Sequence, residues 1–407
     1  MERADLKGVF TGRERRARQR ARFFVSEADQ PAFMTEFARG VAGYTEVFLC
    51  DPAWGATEQS HLEALRGMPM ENTFKKTPEG WLMIPTGGSS GQVKFARHDE
   101  QTISAAVRGF TRHFGLKQVN AAGLLPLHHV SGFMAWMRCA LTGGEYRPLD
   151  WKQVERGKLP VLPAEPEGWV ISLVPTQLDR LMRLEPAVAW LRAFRIVFLG
   201  GAPAWPALLE QAAELRLPLS PGYGMTETAA MVTALRPDEF LRGMRGCGRA
   251  LPHGQVSVAR DGVISIESES LFRGYYPEWR TPVGFRTSDL GTLDERGHLH
   301  VQGRNDAAII TGGEKVHPAE VEAVLRATGC FEDVMVIGLP DPEWGQIVVA
   351  AYPEAGQPDL PKVQQVLAAQ LAPAKRPKRW VGLKDWPKNE TGKVNRAEVA
   401  RRVAALA

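Results

Sequence analysis

Short apolar runs alternate with amphipathic stretches through the first two-thirds of the chain. The run WLMI at 81–84 reads as a strand entering a Gly/Ser loop, and the spacing beyond it predicts a helix over 100–114. Apolar runs at 123–127, 169–174 and 195–199 read as further buried strands, with helical patterns at 177–184 and 205–215 between them. Strands alternating with helices predict an α/β sheet that holds ligands at loops beyond its strand ends.

The pattern changes after about residue 245. Residues 256–266 alternate at period two around Asp261-Gly262, a hairpin signal, and 291–301 repeat it. From about 304 the order becomes strand, helix (318–328), strand (334–339), strand (347–352) and helix (362–371). The expected architecture is therefore a large N-terminal α/β domain, 1–302, with layered sheets and a β-rich subdomain. A small C-terminal α+β domain, 303–407, follows it.

Composition narrows the class without choosing an activity. The 407 residues suit two or three domains, and 44% apolar against 24% charged residues excludes a disordered or fibrous chain. Lys+Arg 50 against Asp+Glu 46 leaves +4, too weak a charge to argue for nucleic acid. The basic run at 13–20 reads as a solvated helix face. Cys50, Cys139, Cys247 and Cys330 form no CxxC pair and read as reduced thiols. No early stretch resembles a signal peptide, and no run approaches roughly 18 apolar residues, so the expectation is a cytoplasmic protein without membrane insertion. A homodimer is the default assembly.

The segment PTGGSSGQVK at 85–94 carries the most chemistry. Its glycines let backbone approach a ligand, its hydroxyls and N–H groups can ring phosphate oxygens, and Lys94 adds a point charge. It is not a Walker A loop, because no Gly-Lys-Ser/Thr closes it. A flexible surface turn explains the segment equally well. Gly87, Ser89 and Gly91 also spell the G-x-S-x-G elbow of serine hydrolases, which would make Ser89 a nucleophile.

Further segments decide among these readings. Residues 86–94 are similar to the T-S-G-T-T-G-x-P-K loop of the adenylate-forming enzymes, the family of acyl- and aryl-CoA synthetases, firefly luciferase and peptide-synthetase adenylation domains. PLHHVSG at 126–132 resembles that family's P-L-F-H-x-x-G, LGGAP at 199–203 its G-G-A-P loop, and YGMTE at 223–227 its Y-G-x-T-E. FRTSDL at 285–290, GRND at 303–306 with GGEKVHPAEVE at 312–322, and PKNETGK at 387–393 resemble the remaining motifs in order. Within the family, 310–320 and 126–132 look most like the o-succinylbenzoyl-CoA synthetases of menaquinone biosynthesis, which the short length also fits.

The resemblance implies an ATP-dependent acid–CoA ligase that uses Mg²⁺, with coenzyme A as co-substrate and a small carboxylate as acyl donor. Other aryl- or acyl-CoA ligases and carrier-loading adenylation enzymes are the neighbouring alternatives. It implies that Lys393 bridges the carboxylate and the α-phosphate, that Thr226 donates to that phosphate, and that Glu227 holds the metal. Thr86, Gly88, Ser89, Ser90, Gly91 and Lys94 would cradle the phosphates. Gly201, Ala202, Pro203, Tyr223 and Gly224 would face adenine, with Tyr223 stacked on it, while Asp289 reaches the ribose and Arg304 the ribose or the phosphates when the small domain closes. His129, Ser131 and Gln177 would line the acyl pocket, Asp306 would be the hinge of a mobile small domain, and Gly312-Gly313 would border the CoA tunnel. Three positions depart from the family pattern: Gly87, Val93 and Ser288 stand where Ser, Pro and Gly are usual. His128 and His129, taken as strand neighbours, are expected to point to opposite faces and share no metal; no zinc-type cluster is expected.

Overall fold

The computed structural model describes residues 21–43, 45–68, 80–86, 93–164, 168–280, 282–305, 307–388 and 394–406. The basic run at 13–20, the loop residues Gly87, Gly88, Ser89, Ser90 and Gly91, the hinge candidate Asp306 and Lys393 lie outside the described residues.

Parallel strands bury both faces and so read as unbroken apolar runs, which is how the N-terminal part of this chain is written. One sheet joins β1 (Arg22–Val25), β2 (Glu46–Leu49), β3 (Leu82–Thr86) and β4 (Lys94–His98); the first three run parallel and β4 returns antiparallel. A second sheet is built from β5 (Asn120–Gly123), β6 (Tyr146–Pro148), β7 (Trp169–Leu173), β8 (Ile196–Leu199), β9 (Leu219–Met225), β10 (Ala230–Ala234) and β11 (Arg249–Ala250). Its order is β11-β10-β9-β8-β7-β5-β6, parallel from β6 through β9 and antiparallel beyond. The predicted strand at 123–127 is corrected: the strand ends at Gly123, and Leu124, Leu125 and Leu127 are buried in the turn that follows. Pro126 has no N–H to give a ladder, which suits that turn.

The helices start and stop where local chemistry dictates. Asp99 caps Glu100–Phe114 by accepting from the N–H groups of Gln101 and Thr102, Thr102 closes the reciprocal bond, and Gly115 ends the helix at φ 63°. Ile103, Ala106, Val107 and Phe110 lie on its buried side. The helix expected at 177–184 instead spans Pro175–Met182, with proline in the first turn. Around Phe37, the rings of Phe133 and Trp136 pack edge-on at 5.2 and 5.4 Å.

The later part switches to period-two strands. β12 (Gly254–Val258), β13 (Val263–Ser268), β14 (Phe285–Leu293) and β15 (Leu299–Arg304) form an antiparallel meander with both expected hairpins. The small C-terminal unit pairs β16 (Ile309–Thr311), β17 (Glu314–Val316), β18 (Met335–Asp341), β19 (Gly345–Pro353) and β20 (Arg379–Leu383), covered by helices Pro318–Ala327, Leu360–Gln370 and Arg396–Ala405. The expected mixed α/β architecture of layered sheets, a β-rich subdomain and a small α+β unit is the one observed. Among the described residues, no helix is long and apolar enough to cross a membrane.

Candidate active site

Four of the singled-out segments lie at or just beyond the carboxyl ends of parallel strands, where open α/β sheets bind ligands. Thr86 ends β3, Gly200 to Pro203 follow β8, Tyr223 to Met225 end β9, and His128 and His129 lie in the turn after β5. Thr226 and Glu227 form a short 3-10 turn between β9 and β10. Gly224 is dictated by strand spacing, since a Cβ there would stand 1.9 Å from the Ala230 carbonyl oxygen.

Glu227 is 9% exposed, and the Tyr275 hydroxyl donates to its Oε1 at 2.6 Å. Burial, reinforced by the Glu227 charge, raises the Tyr275 phenol above its ordinary pKa, while the nearby Arg304 guanidinium pulls the other way. Lys94 Nζ is 5.8 Å from the centre of the same ring. Tyr275 thus links Lys94 and the candidate metal carboxylate, and the charge of the β15 arginine Arg304 is felt at the same phenol. A carboxylate is a hard-oxygen donor suited to Mg²⁺, so Glu227 fits that ion.

The corner is braced from below. His98 Nε2 is 2.8 Å from the Thr226 carbonyl, which can only accept, so this nitrogen carries the proton and Nδ1 accepts from Thr102 at 3.1 Å. Burial keeps the imidazole neutral, with its pKa pushed down to about 4. Asp99 and Arg273 form a nearly buried ion pair at 2.8 Å, two residues from Tyr275. The sequence reading missed His98, Arg273 and Tyr275. The charged and aromatic run FRGYY at 272–276 was the one visible signal.

Tyr223 donates its hydroxyl to Asp289 Oδ2 at 2.6 Å, and its ring packs against the buried cluster around Val232 and Ile264. Asp289 is the strand partner of Arg304, which joins the two ribose candidates. Gly201, Ala202 and Pro203 are exposed, and Ala202 and Pro203 line a cleft of about 130 Å³ between the two units. Val174, Pro175, Thr176 and Ala319 share its lining with Val394, the residue after Lys393. Gln177 is 1% exposed, and its Oε1 accepts from the Val174 N–H, capping the start of helix Pro175–Met182. Ser131 is half-buried in the first turn of helix Val130–Thr142, and His129 occupies its N-cap position. Gly312 and Gly313 have φ of 57° and 83°, as the two central residues of a tight β16–β17 hairpin require.

The expectation that His128 and His129 diverge is overturned. They lie in a turn, not a strand, and their ring centres are 4.5 Å apart. With Asp51 they form a group whose ligand atoms all lie within 4.8 Å of one another.

The chain belongs to the AMP-binding enzyme family. The family's sequence model matches residues 21–276, and that of its C-terminal domain matches 320–393. The chain is similar to the 2-succinylbenzoate–CoA ligase of Enterococcus faecalis, at 30% identity over 76% of this chain and 67% of that one. It is 31% identical to the Listeria monocytogenes ligase of the same name, over 68% of this chain and 60% of that one. Those matches therefore span 60–67% of these relatives' length. Among solved structures, the o-succinylbenzoate CoA synthetase of Bacillus subtilis in complex with the acyl-adenylate intermediate OSB-AMP shares the fold. Its TM-score is 0.75 at 21% identity, covering 98% of this chain and 91% of that one. Escherichia coli MenE with bound OSB-AMS gives 0.78 at 25% identity, covering 100% and 92%.

Proposed function

We propose that this protein is an ATP-dependent acid–CoA ligase whose acid is o-succinylbenzoate, the compound named in the relatives' activity. In this reading a carboxylate oxygen attacks the α-phosphorus of ATP and pyrophosphate leaves. The CoA thiol then attacks the acyl carbon of the adenylate, and AMP departs. The first step brings two anions together, so fixed positive charge and hydrogen-bond donors must be aimed at the phosphate beforehand.

The observation that carries the proposal is the corner around Tyr275, where Lys94, Glu227 and Arg304 converge beside Thr226. Thr226 would donate to the α-phosphate, Lys94 would meet the outer phosphates, and Asp289 with Arg304 would hold the ribose. Held by Glu227, Mg²⁺ would neutralise charge on the phosphate oxygens. Tyr223 would border adenine with its hydroxyl spoken for by Asp289. Lys393 would approach across the cleft that Val394 lines, as part of a small domain (303–407) that rotates about Asp306 against the large one (1–302). Rotation would then bring Gly312-Gly313 to the CoA tunnel. The same reading places His129 and Ser131 at the acyl pocket. It takes the protein to be a cytoplasmic homodimer, which sizing by light scattering tests.

The direct test is AMP release with a panel of aryl and alkyl acids, each with CoA. Release that is strongest with o-succinylbenzoate supports the proposal; release with other acids alone moves it to a different ligase. Absence of release, together with labelling of Ser89 by a fluorophosphonate, supports a serine hydrolase instead.

A further inference from the structure

We infer that Asp51, His128 and His129 form a binding site for a borderline-soft divalent transition metal, of which Zn²⁺ and Co²⁺ are the type, separate from the Mg²⁺ position at Glu227. Asp51 follows β2, and its Oδ1 accepts from the Ala53 N–H at 2.9 Å, which aims Oδ2 at His128 Nε2, 3.5 Å away. The His129 N–H donates to the Pro126 carbonyl at 3.2 Å, closing a turn that sets the two imidazoles side by side.

Metal chemistry sets the spacing such a group must meet. With bonds of about 2.0–2.1 Å, tetrahedral ligand atoms lie roughly 3.4 Å apart. The Asp51–His128 edge already has that length, and the widest separation, within 4.8 Å, closes by side-chain rotation. Two nitrogens and one carboxylate oxygen select a borderline ion over Mg²⁺ or Ca²⁺, which prefer all-oxygen shells. Three protein ligands leave the fourth position open, as in zinc sites that bind water or a substrate group. The Ala53 N–H serves as the outer bond that orients the carboxylate.

The surroundings fix the charge balance. The helix starting at Val130 presents its positive end to the site, so Asp51 supplies the negative charge that a dication needs.

Binding at this site is independent of the ligase reading. Its consequence rests on that reading: since His129 is assigned to the acyl pocket, an ion here would present its open position to the acid's carboxylate. The test uses the purified full chain without ATP or acid, dialysed against chelator. Titration with Co²⁺ is expected to give one equivalent per chain with the visible absorption of a four- or five-coordinate ion, displaced by Zn²⁺. Asp51→Asn and His128→Asn should each weaken Zn²⁺ binding at least roughly tenfold, and His300→Asn, at a more distant histidine, should not. Zn²⁺ should raise the unfolding temperature of the wild type but of neither site variant, whose metal-free melts report whether they fold. Unchanged affinity in folded Asp51→Asn and His128→Asn, or no binding by the wild type, overturns the inference. Loss of AMP release with metal binding intact would count against the ligase reading alone.

Discussion

The corner around Glu227 and the face of the small unit that looks onto the cleft are built in opposite ways. The corner is built on strand ends and braced by buried partners: His98 under Thr226, the Asp99–Arg273 pair, and Tyr275 on Glu227. Across the cleft, contacts among the described residues lie near solvent. Arg326 stands over the Trp205 ring at 5.4 Å, and Arg180 reaches Glu332 at 3.9 Å with Glu332 63% exposed. An exposed ion pair such as Arg180–Glu332 holds little free energy, typically about 0–1 kcal/mol. In the proposed function a lobe that releases and reorients would be fastened by contacts of that kind, whereas the groups that position phosphate would be locked in place. On that reading the preorganised charges belong to the large domain and the movable lysine to the small one.

Breaking the locked side should cost most. Arg273→Ala leaves Asp99 buried without its partner and is expected to lower stability by about 3–5 kcal/mol, measured by urea denaturation. Glu227→Gln retains shape and removes the charge; it should cut o-succinylbenzoate-dependent pyrophosphate exchange by about 10²–10³-fold with little change in melting temperature.

Acid should reach the same side through its histidines. His98, His113 and His253 are each held at about 4 by burial, against an ordinary 6.5. The unfolded chain therefore binds more protons than the folded one between those values, so stability rises with pH across that window. Their contribution is present in full above about 6.5 and is lost as pH falls toward 4. His98→Asn should flatten that part of a stability–pH curve. The smallest effect belongs to the loose side: Glu332→Ala removes exposed ion pairs and should change stability and overall turnover by less than about 1 kcal/mol. A large loss there would mean that the two units are held far more firmly than their contacts suggest.

Local pattern made most of the fold legible. The helix at Glu100–Phe114 was readable from its apolar spacing, and Asp99 and Gly115 bound it in the structure. Both hairpins of the meander were written in period-two alternation. Pro126 marked where the β5 reading ran too far, and the same overextended strand led to the wrong placement of His128 and His129. What sequence could not reveal was partnership at long range. Tyr275 meets Glu227 across 48 residues, His98 meets Thr226 across 128, and Arg273 meets Asp99 across 174. No periodicity encodes such pairs, because they arise only when separate layers pack. Tyr223 and Gln177 were legible as residues near a site, but their bonds to Asp289 and to the Val174 N–H follow from tertiary placement.

The division of labour between the two units is tested most directly by separating the half-reactions in Lys393→Ala. The account predicts that acid-dependent pyrophosphate exchange is abolished while thioester formation from a supplied acyl-adenylate and CoA stays close to wild type. An equal fall in both half-reactions, with the melting temperature unchanged, would contradict it.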